Sequence, residues 1–385
     1  MIKTRLSLIF LLFYVVGFSQ KTIPHEITST ILETSRNIKI FIPEGYEENL
    51  EKNYPLTIVL DESYLFDLYV ANAILFAKRD KAPQQIVVGI SMEDTKGNDI
   101  SFDIRSGRLS PTADQFYKFL REEVLLYVES TYRTSPFISF LGQNYSANFI
   151  SYFLQESTPF INAFICINPS FSDFFGQQIQ SYNMAKYAKE DNTFYFYTNN
   201  STSLSAERQL KIDQIQQGLA SIELKNFNII NDVINTSSSV SAASEAIPRA
   251  LTKIFEIYSS ISEEEYEKNI KDLSPQDAIY YLENKYLEIQ YLFGSNLGIR
   301  QKDIFAIESI IIEKEDGDKL REFGEMILNI LPSSPLGEYY IGRYYESGEN
   351  YKKALKYYKI GYGKMDPSDP NFDAYYENII RVGGQ

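Results

Sequence analysis

Residues 137–154 read FISFLGQNYSANFISYFL, an apolar run, a short polar turn and a helical pattern in immediate succession. Phe137–Leu141 is predicted to be a strand, and a helix is predicted from about Tyr145 to Gln155. Sheets that helices cover on both faces bind ligands beyond the carboxyl ends of their strands. The turn at Gly142–Ser146 is therefore where we expect the chemistry of this chain.

The alternation of strand and helix patterns extends from Lys21 to about Ser260. Pro55–Leu60 and Gln85–Ser91 are near-continuous apolar runs, as expected for strands buried on both faces of a sheet. Further strands are predicted at Ile27–Leu32, Ile38–Ile42, Ala163–Ile167, Phe194–Tyr197 and Phe227–Ile230, and helices at Tyr64–Lys78, Thr112–Tyr132 and about Ala243–Tyr258. The pattern predicts the α/β class, with a doubly wound, mostly parallel sheet over residues 20–260.

After Ser260 the strand patterns stop, and residues 261–385 are predicted to form an all-α domain. Pro335–Pro367 fits the spacing of one tetratricopeptide unit, with small residues where its two helices approach each other. The matching residues are Ile341, Gly342, Tyr345, Ala354, Tyr358, Gly361 and Pro367. A generic helical hairpin fits the same spacing, so both interpretations remain open. The many tyrosines here are compatible with docking of a protein partner, since tyrosine is enriched in interfaces.

The N-terminus has the order of a secretory signal peptide. Two basic residues precede an apolar run at 6–18, and Gly17 and Ser19 stand before a plausible cleavage point at Gln20. The run is shorter than the roughly 20 residues of a membrane-spanning helix, and an uncleaved anchor is the alternative. We therefore expect residues 1–19 to be a signal peptide, the protein to be periplasmic or secreted, and no membrane span to remain after cleavage.

Composition excludes several classes of protein. Among 385 residues there is one histidine, His25, and one cysteine, Cys166, which excludes a multi-histidine metal centre, a cysteine-rich zinc site and an intrachain disulfide framework. The net charge of −14, or −16 after loss of the two basic residues of the predicted signal peptide, repels phosphate backbones. We expect no nucleic-acid partner, no metal and no cofactor.

Five stretches resemble, in order and spacing, the esterase family of α/β-hydrolases that includes esterase D and the siderophore esterases. They are YPLTIVLDESYLFD (54–67), QIVVGISMEDTKGNDIS (85–101), YRTSPF (132–137), FLGQNYSANFISYFL (140–154) and FINAFICINPSFSDFF (160–175). The resemblance runs from about residue 25 to 258. It implies an α/β-hydrolase fold and, in an intact member, a carboxylic-ester hydrolase with a serine nucleophile, a histidine base and an acid.

In that family the turn after the strand reads Gly-His-Ser-x-Gly-Gly, a nucleophile elbow that projects the serine hydroxyl into the pocket. This chain keeps Gly142, but Gln143 replaces the histidine, Asn144 the serine and Ser146 the next glycine. An amide is not a usable nucleophile, because its nitrogen lone pair is delocalised into the carbonyl. Asparagine does tolerate a positive φ, so the shape of the elbow can survive the loss of its reactivity.

The other triad positions also differ from the family. Its histidine lies in the loop after the last strand, here Asn231–Ser244, which contains no histidine. Its acid follows the strand that matches Thr193–Tyr197, where Thr198–Ser201 carries no carboxylate. The resemblance also places the oxyanion hole at the backbone of the loop that holds Glu62 and at the N–H of Tyr145. The charged side chain of Glu62 at that mouth is a further departure.

Four other features have simpler interpretations than catalysis. His25 precedes the first predicted strand and is expected to be a surface residue rather than a displaced base. The hydroxyl of Ser146 is expected to bond to nearby backbone rather than to act as a shifted nucleophile. Cys166 is expected to be an inert core residue, and the Ser/Thr cluster Thr236–Ser239 a flexible loop.

The sequence thus favours an exported pseudo-hydrolase, an esterase-like domain that lacks its triad and acts by binding. Asn144 is the vestigial nucleophile position in this interpretation. The protein would hold a small-molecule ligand in the vestigial pocket or dock a protein partner on the helical domain. The alternative is an active carboxylic-ester hydrolase with a rearranged site.

Overall fold

The computed structural model describes residues 21–60, 64–103, 105–176, 179, 184–294, 297–314 and 317–385. These residues form a sheet of eight strands: β1 (Lys21–Ser29), β2 (Thr34–Ile42), β3 (Tyr54–Leu60), β4 (Ile86–Ile90), β5 (Thr134–Gln143), β6 (Ala163–Ile167), β7 (Phe194–Ser201) and β8 (Phe227–Ile234). Their order across the sheet is β1-β2-β4-β3-β5-β6-β7-β8. β2 is antiparallel to both of its neighbours, and all other neighbouring strands are parallel. The predicted mostly parallel sheet is confirmed.

Helices cover both faces of this sheet. They are α1 (Tyr64–Lys78), α2 (Lys96–Asp99), α3 (Pro111–Phe119), α4 (Leu125–Thr131), α5 (Tyr145–Ser151), α6 (Ala206–Ala220) and α7 (Ser239–Ile254). Every residue of β3, β4 and β6 is buried, so the sheet has an apolar core on each face. α3, α4 and α5 pack in one core, and α1 and α7 pack in the other. The doubly wound α/β arrangement is confirmed.

The first strand lies earlier than the sequence indicates. It is predicted at Ile27–Leu32, whereas β1 ends at Ser29 and residues 30–33 form a turn into β2. Glu33 in this turn has a φ of +52°. β1 is an edge strand in which exposed and half-buried residues alternate, so it has no continuous apolar run to mark it.

Several other bounds also differ from the prediction. β5, β7 and β8 run further than their apolar cores, because polar residues at their ends continue the hydrogen-bonded ladder, as Thr198–Ser201 does against β8. The helix predicted at Thr112–Tyr132 is α3 and α4 with the π-helical turn Leu120–Val124 between them. Such a turn leaves no trace in the apolar periodicity of the sequence.

The last helix of this part of the chain begins earlier than predicted, at Ser239. The side chain of Ser238 accepts a hydrogen bond from the backbone N–H of Ser241 at 3.0 Å and caps α7. Serine is a favoured N-cap residue because its hydroxyl satisfies a free N–H of the first turn. Thr236–Ser238 thus lie in the predicted loop, which ends at this helix cap, and Ser239 is the first residue of α7.

The C-terminal region is all-helical, as predicted. Its helices are α8 (Glu263–Asn269), α9 (Pro275–Phe293), α10 (Gln301–Glu313), α11 (Gly317–Ile330), α12 (Leu336–Ser347), α13 (Tyr351–Tyr362) and α14 (Phe372–Gly383). Phe293 of α9 packs on Phe137 of β5, with ring centroids 5.1 Å apart, and Asn53 before β3 donates its backbone N–H to Gly294 at 3.3 Å. Both contacts lie toward the amino-terminal ends of parallel strands. The helical region is therefore attached at the amino-terminal ends of these strands, whereas Asn144 lies at the carboxyl end of β5.

α12 and α13 form a close helical hairpin. A Cβ on Gly342 would lie 2.5 Å from the ring of Tyr358, so only a glycine allows this approach. Tyr340 and Tyr358 are buried, and the remaining tyrosines of the two helices are partly buried. The assignment to a tetratricopeptide unit stays a prediction, because a generic hairpin has the same contacts. Among the described residues, no helix combines the length and the apolar character that crossing a membrane requires.

Candidate functional site

The turn at Gly142–Ser146 joins β5 to α5 at the carboxyl edge of the sheet. Asn144 alone separates the strand from the helix, with a φ of +59° and a ψ of −119°. Residues other than glycine seldom adopt this conformation. Gly142 allows the helix to pack directly on the strand, because a Cβ there would lie 2.6 Å from the carbonyl carbon of Ser146. Residue 144 is thus presented at the end of the strand.

Both the backbone and the side chain of Asn144 are held by hydrogen bonds. Its N–H donates to the carbonyl oxygen of Ile167 at 3.0 Å, and its own carbonyl oxygen accepts the N–H of Ser170 at 3.0 Å. Its side-chain Oδ1 accepts a hydrogen bond from Nη2 of Arg208 at 2.7 Å. Within the described residues, Arg208 is the single side chain hydrogen-bonded to that of Asn144. A guanidinium therefore faces residue 144.

Arg208 reaches this turn from the first turn of α6, which Ser205 caps. Its Nη2 also donates to the carbonyl oxygen of Asn168, and its Nε donates to that of Pro169 at 3.4 Å. Burial lowers the pKa of Arg208 from its usual value. A guanidinium nevertheless remains protonated in proteins at neutral pH. Arg208 can orient Asn144 and attract an anion, but it cannot accept a proton.

Gln143, which the resemblance matches to the family's elbow histidine, bridges two helices. Its Oε1 accepts the hydroxyl hydrogen of Tyr64 on α1, and its Nε2 donates to the carbonyl oxygen of Ser239 at 3.1 Å. Ser239 is the first residue of α7 and belongs to Asn231–Ser244, which the resemblance matches to the base loop. The fold brings that segment beside the turn, where it supplies the backbone carbonyl of Ser239.

Asparagines also stand at the ends of the next two strands. Asn168 follows β6 with a φ of +43°, and Asn199 lies near the end of β7; both are fully buried. Oδ1 of Asn199 accepts the backbone N–H of Asn168 at 2.9 Å, and its Nδ2 donates to the side-chain oxygen of Asn168 at 2.7 Å. Thr198–Ser201 are part of β7 and do not follow it. Amides and hydroxyls thus stand at the end of β7, where the resemblance places the acid.

The hydroxyl of Ser146 has no hydrogen-bond partner in the described part of the chain. The expectation that it bonds to nearby backbone is therefore wrong. Ser146 is fully buried, since α5 packs against β5 at Gly142 and encloses the side chain. No base among the described residues is hydrogen-bonded to this hydroxyl.

His25 lies in the middle of β1 and not before the first strand, as the sequence suggests. Its ring stacks on that of Tyr127 in α4, with the centroids 4.5 Å apart. β5 is four strands away across the sheet, a separation of about 19 Å at the usual strand spacing. The one histidine of the chain is thus far beyond proton-transfer distance of Asn144.

The remaining candidate residues add no reactive group. Cys166 is buried in β6, where its thiol contacts the carbonyl oxygen of Ala147 at 3.5 Å and burial raises its pKa, which keeps it protonated. Glu62 lies outside the described residues, so its predicted place in the oxyanion hole remains a prediction. Tyr145 is 56% exposed at the start of α5. Elsewhere in the described ranges, no group of three histidine, cysteine or carboxylate side chains is placed to hold a metal ion.

Sequence reasoning missed the partners of Asn144 and Gln143. A partial signal was present, since an asparagine stands near the carboxyl end of three strands that are adjacent in the sheet: Asn144, Asn168 and Asn199. Nothing in the sequence pointed to Arg208, which lies 64 positions from Asn144 and meets it only in the folded chain.

Known proteins resemble this chain in sequence and in fold. A family model described as "Putative esterase" matches residues 29–147, from the end of β1 to the start of α5. An uncharacterised protein from Capnocytophaga ochracea has a similar structure, with a TM-score of 0.81 and 21% identity, over 95% of this chain and 100% of that one. No curated protein matches the sequence.

Two further solved structures share the fold over less of the chain. An IroE-like serine hydrolase from Shewanella oneidensis matches with a TM-score of 0.57 and 15% identity, over 78% of this chain and 96% of that one. The BES protein from Bacillus cereus matches with a TM-score of 0.53 and 14% identity, over 60% of this chain and 94% of that one. This chain thus has the α/β-hydrolase fold of these two structures, followed by a helical region.

Proposed function

We propose that this protein is an exported pseudo-hydrolase, in which an esterase-type domain no longer hydrolyses esters and acts by binding. The observation that carries the proposal is the hydrogen bond between Oδ1 of Asn144 and Nη2 of Arg208, 2.7 Å long. An amide stands where the resemblance places the serine, and the described side chain that contacts it is a guanidinium and not a base. Export itself rests on the signal-peptide pattern of residues 1–19.

The chemistry of serine esterases needs three groups that act together: a nucleophile, a base that removes its proton, and an acid that orients the base. Asn144 supplies no nucleophile, and Arg208 supplies no base. His25 is held four strands away on β1. Asn199, near the end of β7, offers an amide where a carboxylate would orient an imidazole. Among the described residues, none of the three roles has a suitable side chain at this turn, which favours loss of hydrolysis over rearrangement.

Binding can occur at two separate places on this fold. The carboxyl edge of the sheet, beside Asn144, is where such folds hold their ligands. The helical region is attached at the opposite edge through Phe293 and Gly294. A small molecule beside Asn144 and a protein partner on the helices could therefore be bound at the same time.

A turnover assay on a panel of p-nitrophenyl esters tests the proposal. We expect the purified protein to release p-nitrophenol no faster than a heat-treated sample of the same preparation. Asn144→Ala and His25→Ala should leave this background rate unchanged, because neither side chain takes part in hydrolysis. Turnover well above the heated control, lost on either substitution, would establish the alternative of an active carboxylic-ester hydrolase with a rearranged site.

Restoring the serine should not restore the enzyme. For Asn144→Ser we expect at most about a tenfold gain in ester turnover, since general-base assistance is worth ~10²–10⁴-fold and no described base reaches residue 144. The rate of p-nitrophenol release by Asn144→Ser, compared with Asn144→Ala, measures the gain. Robust hydrolysis by the serine variant alone would mean that a base lies closer to the turn than we infer.

A further inference from the structure

A pocket of about 320 Å³ opens directly beside the Asn144 turn. One part of its wall is aromatic and comes from Phe102, Tyr145 and Phe171. Another part is polar and comes from Ser172, Arg208 and Lys211. Ligand sites typically combine an apolar wall with a few convergent polar groups, and this pocket is large enough for a molecule with one ring.

The positive charge of Arg208 is not neutralised by any described carboxylate. Its hydrogen bonds go to the side-chain oxygen of Asn144 and to the carbonyl oxygens of Asn168 and Pro169, all of which are uncharged. Nη1 makes no hydrogen bond within the described residues, although Arg208 lines the pocket. By contrast, the buried guanidinium of Arg36 is paired with Asp99 at 2.8 Å. Arg208 therefore offers two unused N–H donors and a full charge.

The other charges of the pocket wall leave this cation uncompensated. Lys211 is already paired with Asp173, so these two side chains cancel. Glu207 also lines the pocket but is exposed to water, which screens its charge. A ligand with a single negative charge fits this balance. A phosphate would bring a second charge next to Asp173 and Glu207.

Ser172 gives independent support for a ligand at this place. It lines the same pocket and is 3% exposed, yet its hydroxyl has no hydrogen-bond partner among the described residues. A buried hydroxyl without a partner is destabilising, so such groups are usually satisfied by a ligand or a water. The wall of the pocket thus contains a hydroxyl that no described residue satisfies.

We propose that this pocket binds a small monocarboxylate with a flat apolar body. The carboxylate accepts hydrogen bonds from Nη1 of Arg208, and the body lies against Tyr145 and Phe171. The inference rests on the proposed function, since it names the ligand class of the vestigial site. It does not depend on the absence of turnover, because the contacts involve no reacting group.

Calorimetric titration of the full chain with benzoate tests the proposal, with benzamide as the neutral isostere. We expect saturable binding of benzoate and at least a tenfold weaker affinity for benzamide, which lacks the charge. Arg208→Gln should weaken benzoate binding at least tenfold. Arg79→Gln is the matched control, because Arg79 is exposed just after α1 and does not line the pocket. This variant should bind benzoate with the affinity of the wild type.

Four results would overturn the inference: no binding of benzoate, equal affinities for benzoate and benzamide, unchanged benzoate affinity in Arg208→Gln, or tighter binding of phenyl phosphate than of benzoate. If circular dichroism shows that Arg208→Gln is unfolded, Arg208→Lys replaces it, and the loss of the planar donors should still weaken binding several-fold. Failure of benzoate to bind while the ester assay stays negative would reject the ligand class alone. Ester turnover dependent on Asn144 would reject the pseudo-hydrolase instead.

Discussion

Gly142→Ala is expected to lower the free energy of unfolding by about 3 kcal/mol, the scale of a severely overpacked site. The added methyl would lie 2.6 Å from the carbonyl carbon of Ser146 and 2.8 Å from the amide nitrogen of Ala147. Both atoms belong to the main chain of α5, so no rotation of a side chain relieves the contact. Urea denaturation of the variant and the wild type, followed by circular dichroism, measures the difference.

Gly218→Ala is the matched control for this substitution. Gly218 lies in α6, and a Cβ there would meet nothing within 4 Å. Alanine is favoured over glycine in a helix by up to ~1 kcal/mol, so this variant should be as stable as the wild type or more so. Equal stability of Gly142→Ala and the wild type would mean that strand and helix do not touch at the turn.

Phe293→Ala is expected to cost about 4 kcal/mol, as for other fully buried phenylalanines. Phe293 is 1% exposed, and its ring centroid lies 5.1 Å from that of Phe137, 5.4 Å from Phe255 and 6.0 Å from Tyr258. The cavity would open between α9 and the sheet. We therefore expect a lower urea midpoint and faster proteolysis of the helical region at a fixed trypsin concentration.

Tyr291→Ala provides the comparison on the same helix. Tyr291 is 58% exposed, and exposed substitutions usually change stability by less than about 0.5 kcal/mol. Its urea midpoint and its proteolysis rate should match those of the wild type. If Phe293→Ala behaved like Tyr291→Ala, the helical region would not be anchored through this aromatic cluster.

The two ends of the parallel strands differ in what they hold. Asn144, Arg208 and the proposed carboxylate pocket lie at the carboxyl edge, whereas Phe293 anchors the helices toward the other edge. The helical region is thus not a lid over the pocket. A partner that docks on the helices would need to act on the ligand site through the sheet or not at all.

Elements with a strong apolar signal were predictable from the sequence. α1 was predicted at its observed bounds, Tyr64–Lys78, and β6 at Ala163–Ile167, because burial imposes a helical or a continuous apolar pattern on them. β1 was misplaced, since an edge strand needs few apolar residues. The π-helical turn Leu120–Val124 was missed, because local backbone hydrogen bonding leaves no apolar period in the sequence.

The α/β class, the position of the strand-to-helix turn and the scarcity of imidazole follow from the amino-acid sequence alone, because local composition and periodicity record burial along the chain. The contacts of Arg208 with Asn144, across 64 positions, and of Gln143 with Ser239, across 96, are visible only in the folded chain. Polar contacts between such distant segments depend on strand order and helix placement. A polar side chain carries no periodic mark of the partner that it will meet.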